Sequence, residues 1–164
     1  MVFREEIKNI FDVQITEIDD NGYYLAHCIS ADFALGAGIA KEFDKRFNLK
    51  EELNMAFPTY MNMFLNDYFR YGVMGDCILC GEVFNLVTKE RYFHKPTLNS
   101  LERSLSLMKR LCKECHIKKI AMPRIGCGLD KLQWEDVRKV IQKVFNDTDV
   151  EILVCVQPQK KGNE

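Results

Sequence analysis

Through the C-terminal half of this chain, runs suited to strands alternate with runs suited to helices: Val83 to Val87, Pro96 to Cys115, Ile117 to Ile125, Leu132 to Phe145, Asp149 to Val156. Such alternation admits few folds, because strand, crossover helix and next strand of one sheet run parallel and right-handed, with helices covering both faces. The clearest helix is Pro96 to Cys115. Leu98, Leu101, Leu105, Met108, Leu111 and Cys115 form one apolar stripe, Arg103, Lys109, Arg110 and Lys113 fall largely outside it, and Pro96 suits its first turn. In the helix from Leu132 to Phe145, Val137, Val140, Ile141 and Val144 make the buried stripe.

The N-terminal half is less regular. Glu5 to Ile18 and Tyr23 to Ile29 read as two strands joined by the turn Asp19-Asp20-Asn21-Gly22. Ile39, Phe43 and Phe47 recur at four-residue spacing and predict a helix over Ile39 to Phe47. Asn48 to Tyr71, with Leu53, Met55, Phe57, Met61, Phe64, Leu65 and Phe69 broken at Pro58, reads as further helix. Within Val73 to Thr88, Gly75 and Gly81 punctuate a hairpin or two closely connected strands. The expected fold class is α/β: three layers, α/β/α, around a central mixed, largely parallel sheet. One domain is expected over residues 1–164, with N-terminal strands in 1–24 and a polar tail at 158–164.

With 47% hydrophobic residues in 164, the chain can bury a sizeable core. Its 23 Lys+Arg against 24 Asp+Glu leave a net charge of -1, so no general basic field favours a nucleic-acid substrate, and a locally bound ligand is preferred. No apolar run is long enough to span a membrane and the start lacks a signal-like stretch. A cytoplasmic monomer with no membrane partner is expected. Seven cysteines without scaffold-like spacing read as reduced thiols. Cys77-Ile78-Leu79-Cys80 and Cys112-Lys113-Glu114-Cys115 resemble paired zinc knuckles. However, positions three apart on a strand face opposite ways, and the second pair extends an apolar helical stripe, so no metal is expected.

Two glycine loops carry the chemistry. Leu35-Gly36-Ala37-Gly38-Ile39-Ala40 and Pro123-Arg124-Ile125-Gly126-Cys127-Gly128-Leu129-Asp130 each follow an apolar run and open onto a helical pattern. Glycine removes the Cβ that would hold a diphosphate away, while the amides of such turns, with a helix N-terminus behind them, attract anions. Two loops of this kind predict a pyrophosphate gripped from both sides.

Ala26-His27-Cys28-Ile29-Ser30, Gly36 to Ala40, Leu86-Val87-Thr88-Lys89, His94-Lys95-Pro96-Thr97, Met122 to Asp130 and Leu132-Gln133-Trp134-Glu135, in this order, resemble macrodomains. Within that family they are most similar to terminal ADP-ribose protein glycohydrolases. The resemblance runs from about Leu25 to Val156, and its longer motifs are highly specific. It implies an ADP-ribose cleft at the carboxyl ends of the strands, with Gly36, Ala37, Gly38, Ile39 and Ala40 along the distal ribose and diphosphate. Gly126, Cys127, Gly128 and Leu129 would offer amides from the other side, and Ser30 and Thr88 polar contacts. His27, Arg124 and Ile125 join the ligand-binding set by the same motifs, although His27 also reads as a satisfied core or rim histidine. Where the family carries a Gly-Asp pair for the adenine amine, this chain has Lys8-Asn9-Ile10-Phe11-Asp12, and Asp12 is the candidate substitute. The stretch from Phe47 to Thr88 is extended, adding Tyr60, Met61, Phe64 and Tyr68.

The resemblance gives catalysis to Lys89 and Asp130, acting on the ester between a protein Glu or Asp and the distal ribose. Lysine attacks only when neutral, and from a reference pKa of ~10.4 it needs burial or a neighbouring cation to do so near neutral pH. Asp130 would move protons. Alone, Lys89 reads as a solvated side chain at a strand end, Asp130 as a helix N-cap, and Cys127 as a small loop residue without a base. The expected partners are ADP-ribose and mono-ADP-ribosylated proteins, with no cofactor. A non-catalytic ADP-ribose reader, or hydrolysis of another ADP-ribosyl bond such as O-acetyl-ADP-ribose or a modified nucleobase, remains open at this point.

Overall fold

The computed structural model describes residues 1–16, 21–63 and 75–159. Glu17, Ile18, Asp19, Asp20, Phe64, Leu65, Tyr68, Phe69, Tyr71, Gly72 and Val73, which carried parts of the expected turn, helix and strand, lie outside the described residues, as do 160–164 of the expected tail. Six strands, β1 (Val2–Ile7), β2 (Tyr24–Ser30), β3 (Asp76–Cys80), β4 (Val83–Lys89), β5 (Lys119–Met122) and β6 (Glu151–Val156), form one sheet in the order β1-β6-β5-β2-β4-β3. Every neighbour pair is parallel except β3 with β4, which make the hairpin around Gly81. This is the mixed, largely parallel α/β sheet that the alternation demanded.

Among the described residues no N-terminal hairpin is formed. β1 pairs in parallel with β6, from Val2 opposite Glu151 to Ile7 opposite Val156, while β2 enters the middle of the sheet between β5 and β4. The Asn21-Gly22 turn signal has another cause. Ile15 and Tyr23 make an isolated parallel bridge, and a Cβ on Gly22 would stand 2.4 Å from the Ile15 carbonyl carbon and oxygen. The glycine therefore permits two backbones to touch.

Among the described residues four helices, α1 (Gly38–Phe47), α2 (Leu49–Ala56), α3 (Leu98–Cys115) and α4 (Trp134–Phe145), cover both faces. On one face Phe43, Leu49 and Leu53 of α1 and α2, with Ile10 from a 3-10 turn at Ile10–Asp12, cover Leu25, Ile29, Val83, Val87, Ala121 and Leu153. On the other, Leu101, Leu105, Met108, Val137, Ile141 and Phe145 of α3 and α4 cover Ala26, Phe84, Leu86, Ile120 and Val154. Strand periodicity sorts the cysteines. Cys77 packs under α3 and α4 while Cys80 packs on the opposite face, and Cys112 is buried while Cys115 is exposed. The strand pair therefore does not converge as zinc ligands must, and among the described residues no three His, Cys, Asp or Glu side chains gather as a metal site.

Pro96 stands one residue before the N-cap of α3 rather than in its first turn, because Thr97 is the cap. Thr97 Oγ1 accepts from the Ser100 N–H at 3.0 Å, and Ser100 Oγ accepts from the Thr97 N–H at 3.0 Å, a closed capping box. Thr97→Ala is expected to cost about 1 kcal/mol of stability, read as a lowered urea midpoint with an unchanged slope.

Candidate active site

β2 leads through α1 and α2 toward β3 and β4 on one side, whereas β5 leads through α4 to β6 on the other. Loops leaving neighbouring strands in opposite directions open a crevice beyond their carboxyl ends. A cleft of about 1130 Å³ occupies that place, floored by Cys28, Ile29 and Ser30 of β2 and by the end of β6. Its walls are the two glycine loops, with Lys89, Tyr92 and Lys95 at one end.

The first loop is bent hard onto the sheet. Phe33 (φ 52°) and Leu35 (φ 42°) adopt left-handed backbone that is unfavourable for such side chains, and both are held by burial in the α1-side core. Asp32 ties the bend down. Its Oδ1 accepts from Ser30 Oγ at 2.5 Å and from the Ala34 N–H at 3.2 Å, while Oδ2 accepts from the Tyr92 N–H at 3.0 Å. α1 then starts at Gly38 (φ 58°) behind Ala37, which supplies no side-chain cap, so its first-turn amides and the positive end of its dipole face the cleft.

The second loop closes on itself through Cys127 N–H to Arg124 O (3.2 Å), Lys131 N–H to Gly128 O (3.2 Å) and Leu132 N–H to Gly126 O (2.8 Å). These bonds leave the Gly128 and Leu129 amides unused. Gly126 is needed for its φ of 73°, but a Cβ on Gly128 would meet nothing within 4 Å and one on Gly36 only Ala34 O at 3.7 Å. At 36 and 128 the fold tolerates a side chain, so the missing Cβ leaves space to a ligand. Lys95 Nζ donates to Leu129 O at 2.7 Å and pins this loop from the far side.

At the cleft's end Lys89 Nζ lies 2.6 Å from Asp130 Oδ1, with each side chain 14% exposed. Lys89 is the last residue of β4. A register shift between Ile29 and Ser30 pairs Ser30 with Lys89, and the Ala31 N–H donates to Lys89 O at 2.9 Å. Such irregularities re-aim a strand-end side chain.

Ser30, Gly36, Ala37, Gly38, Ile39, Ala40, Arg124, Ile125, Gly126, Cys127, Gly128 and Leu129 all line this cleft with Lys89 and Asp130. His27, Thr88 and Asp12 do not. Alternation along β2 turns His27 with Leu25 and Ile29 to the α1 face, where it is fully buried, stacked on Phe43 at 4.1 Å, with Nε2 2.6 Å from Asn85 Oδ1. Thr88 is 1% exposed and sits by the Cys28 thiol. Asp12 is exposed at the end of the 3-10 turn, outside the lining. Burial and then the Asp130 charge push the Cys28 thiol up to about 12, so it stays protonated beside Lys89 and Asp130. Burial also raises Cys127, against an opposing pull from Arg124, and its Sγ lies 3.3 Å from Ile125 O, an arrangement for a thiol and not a nucleophilic thiolate. Arg124 lies over Trp134 at 5.6 Å, and Trp134 Nε1 donates to Glu5 Oε1 at 2.5 Å.

Asp32, Tyr92 and Cys155 to Gln157 were not anticipated at the site. An aspartate two residues beyond a strand's end is an Asx-turn signal, which could have pointed to Asp32. Nothing local marks residues 155–157, which reach the cleft because β6 lies beside β5.

A family model described as the Macro domain matches residues 82–141. ADP-ribose glycohydrolase OARD1 of Homo sapiens is 43% identical over 131 residues, 79% of this chain and 79% of that protein. Among solved structures, the macrodomain of Mycobacterium tuberculosis DarG matches with a TM-score of 0.69 at 20% identity, over 96% of this chain and 99% of that one. Thermosipho africanus DarTG in complex with ADP-ribose matches with a TM-score of 0.62 at 15% identity, over 98% of this chain and 43% of that one.

Proposed function

This chain belongs to the macrodomain family, and from that premise we propose that it is an ADP-ribosyl hydrolase releasing ADP-ribose from Glu and Asp side chains of proteins. The human relative's name, ADP-ribose glycohydrolase, supports the reaction class. The observation that carries the finer reading is the 2.6 Å contact between Lys89 Nζ and Asp130 Oδ1 at the end of a cleft walled by two sets of backbone amides.

In this reading the diphosphate lies between the first turn of α1 and the Gly126 to Leu129 turn, whose fixed amides neutralise it without reorganising. The distal ribose then meets the Lys89 and Asp130 pair. Lys89 passes a proton to Asp130 and attacks the anomeric carbon as the neutral amine; the carbon–oxygen bond to the protein carboxylate breaks, and the carboxylate leaves with the electron pair. The sugar is now joined to Lys89 through nitrogen; Asp130 hands its proton to the departed carboxylate, and a nitrogen proton moves to the ring oxygen as the sugar opens to a protonated Schiff base. Asp130 takes a proton from water as it adds to that carbon, the carbon–nitrogen bond breaks, and the amine is restored. The sum is one water consumed, with ADP-ribose and a free carboxyl group released.

The test is release of ADP-ribose from Glu-linked and Ser-linked modified proteins. A serine alkoxide is a far poorer leaving group than a carboxylate, so the Glu-linked protein is expected to be cleared and the Ser-linked one retained. Tight binding without release from the Glu-linked protein would make the chain a reader and end the proposal.

A further inference from the structure

Three large apolar side chains stand in solvent beside the reactive pair: Tyr92, 65% exposed, Phe93, 63%, and Leu129, 61%. Tyr92 and Phe93 follow Lys89 by three and four residues, and Leu129 precedes Asp130. Lys95 bridges the two loops through Leu129 O. Tyr92 and Leu129 line the cleft here from its two sides, and the Phe93 ring packs against Tyr92 outside the lining.

The rim is braced by contacts within it. The Tyr92 N–H is held by Asp32 Oδ2, His94 Nδ1 accepts from the Arg91 N–H at 3.3 Å, and the Phe93 ring packs edge-on against Tyr92 at 5.3 Å and against His94 at 4.7 Å. Exposed aromatics on a loop braced through its backbone offer a docking surface at reduced entropic cost, because the segment is already held in place and each ring has only two rotatable bonds to order. Arg91, Lys95 and Lys131 are exposed around them, Glu90 pairs with Arg91 at 3.6 Å, Asp32 is half-buried on the Tyr92 amide, and Asp130 is matched by Lys89, so the exposed charges here are basic. On a chain of net charge -1 this end of the cleft is locally basic.

We infer that Tyr92 and Phe93 dock the polypeptide flanking the modified carboxylate, favouring an apolar side chain near that residue in an acidic stretch. This rests on the hydrolase reading above. The ADP-ribose part is held inside the cleft by the glycine loops, so a group outside Lys89 and Asp130 can only belong to what the ribose is attached to. An acidic stretch complements Arg91, Lys95 and Lys131, and an apolar neighbour buries the rings.

The experiment compares kcat/KM on a Glu-modified peptide of that composition with kcat/KM on ADP-ribose acetylated at the anomeric hydroxyl of the distal ribose, whose leaving group is acetate and reaches no rim. In the Tyr92→Ala/Phe93→Ala double variant, the ratio of the two is expected to fall about tenfold, carried by KM for the peptide, the scale on which truncating aromatic anchors weakens a contact. Tyr92→Phe and Phe93→Tyr keep the rings and should keep the ratio. An equal loss on both substrates, or no loss on either, overturns the docking role while leaving the hydrolase standing. A loss confined to an ADP-ribosylated single-stranded oligonucleotide assigns the rim to nucleic acid and overturns the polypeptide occupant. A wild-type chain that releases nothing from either substrate overturns the chemistry and the rim together.

Discussion

Lys89→Ala is expected to lower kcat on a Glu-linked substrate by about 10²- to 10⁴-fold while leaving ADP-ribose affinity within a few-fold. The separation follows from the geometry. Diphosphate contacts are assigned to backbone amides of α1 and of the Gly126 to Leu129 turn, and none of them depends on the lysine, whose amine meets Asp130 at 2.6 Å. Asp130→Ala should behave differently. In the proposed mechanism it slows the first proton transfer, for which solvent can substitute, but removes the group that prepares water for the second step, so a covalent adduct of ADP-ribose mass should accumulate on Lys89, visible by intact-mass and peptide mass spectrometry. Full turnover by Lys89→Ala would remove the nucleophile from the mechanism, and an Asp130→Ala enzyme that neither turns over nor gains mass would remove the covalent step. Thermal melts of both variants separate chemistry from folding, because breaking a mostly buried ion pair strands the remaining charge.

The second large effect is on stability and comes from His27. The ring is fully buried between the sheet and Phe43, and burial drives its pKa down to about 4, with the Asn85 hydrogen bond opposing only in part. The unfolded chain titrates this group near ~6.5. Between those values the unfolded state binds a proton that the folded state refuses, so stability is complete above about 6.5 and falls as the pH drops toward 4. Integrated over that window the loss is about 3 kcal/mol, a large share of the ~5–15 kcal/mol that a domain possesses. Urea unfolding at steps from pH 7.5 to 4 should show it. His27→Gln retains a donor for Asn85 but cannot titrate, so its unfolding free energy should depend less steeply on pH over the same range. Identical slopes for parent and variant would show that His27 protonation does not control acid stability.

Much of the fold was legible because it is local. The apolar stripe of α3, the four-residue spacing of Phe43 and Phe47 in α1, the break at Pro58 and the turn at Gly81 depend on residues within one or two turns of each other. The glycine loops were readable for the same reason, since the φ of 73° at Gly126 and the open space at Gly128 are properties of a short segment. Pairing was not legible. β1 could be joined to β2 by a turn signal, yet it belongs to β6 at the other end of the chain, and Gly22 serves a backbone contact with Ile15 instead.

The site divides along the same line. Order along the chain grouped His27 with Ser30 and Thr88 with Lys89, but strand parity and the shift after Ile29 send His27 and Thr88 into the two cores while Ser30 and Lys89 reach the cleft. Asp32 became a structural centre only when Tyr92, 60 residues later, was brought to its second carboxylate oxygen. What the amino-acid order determined alone was therefore the elements, the two glycine turns and the lysine and aspartate of the proposed chemistry. Which strands adjoin, which face each residue takes and the 2.6 Å meeting of Lys89 with Asp130 across 41 residues were decided by the folded sheet, because contacts between distant segments follow from how whole faces pack and no local pattern encodes them.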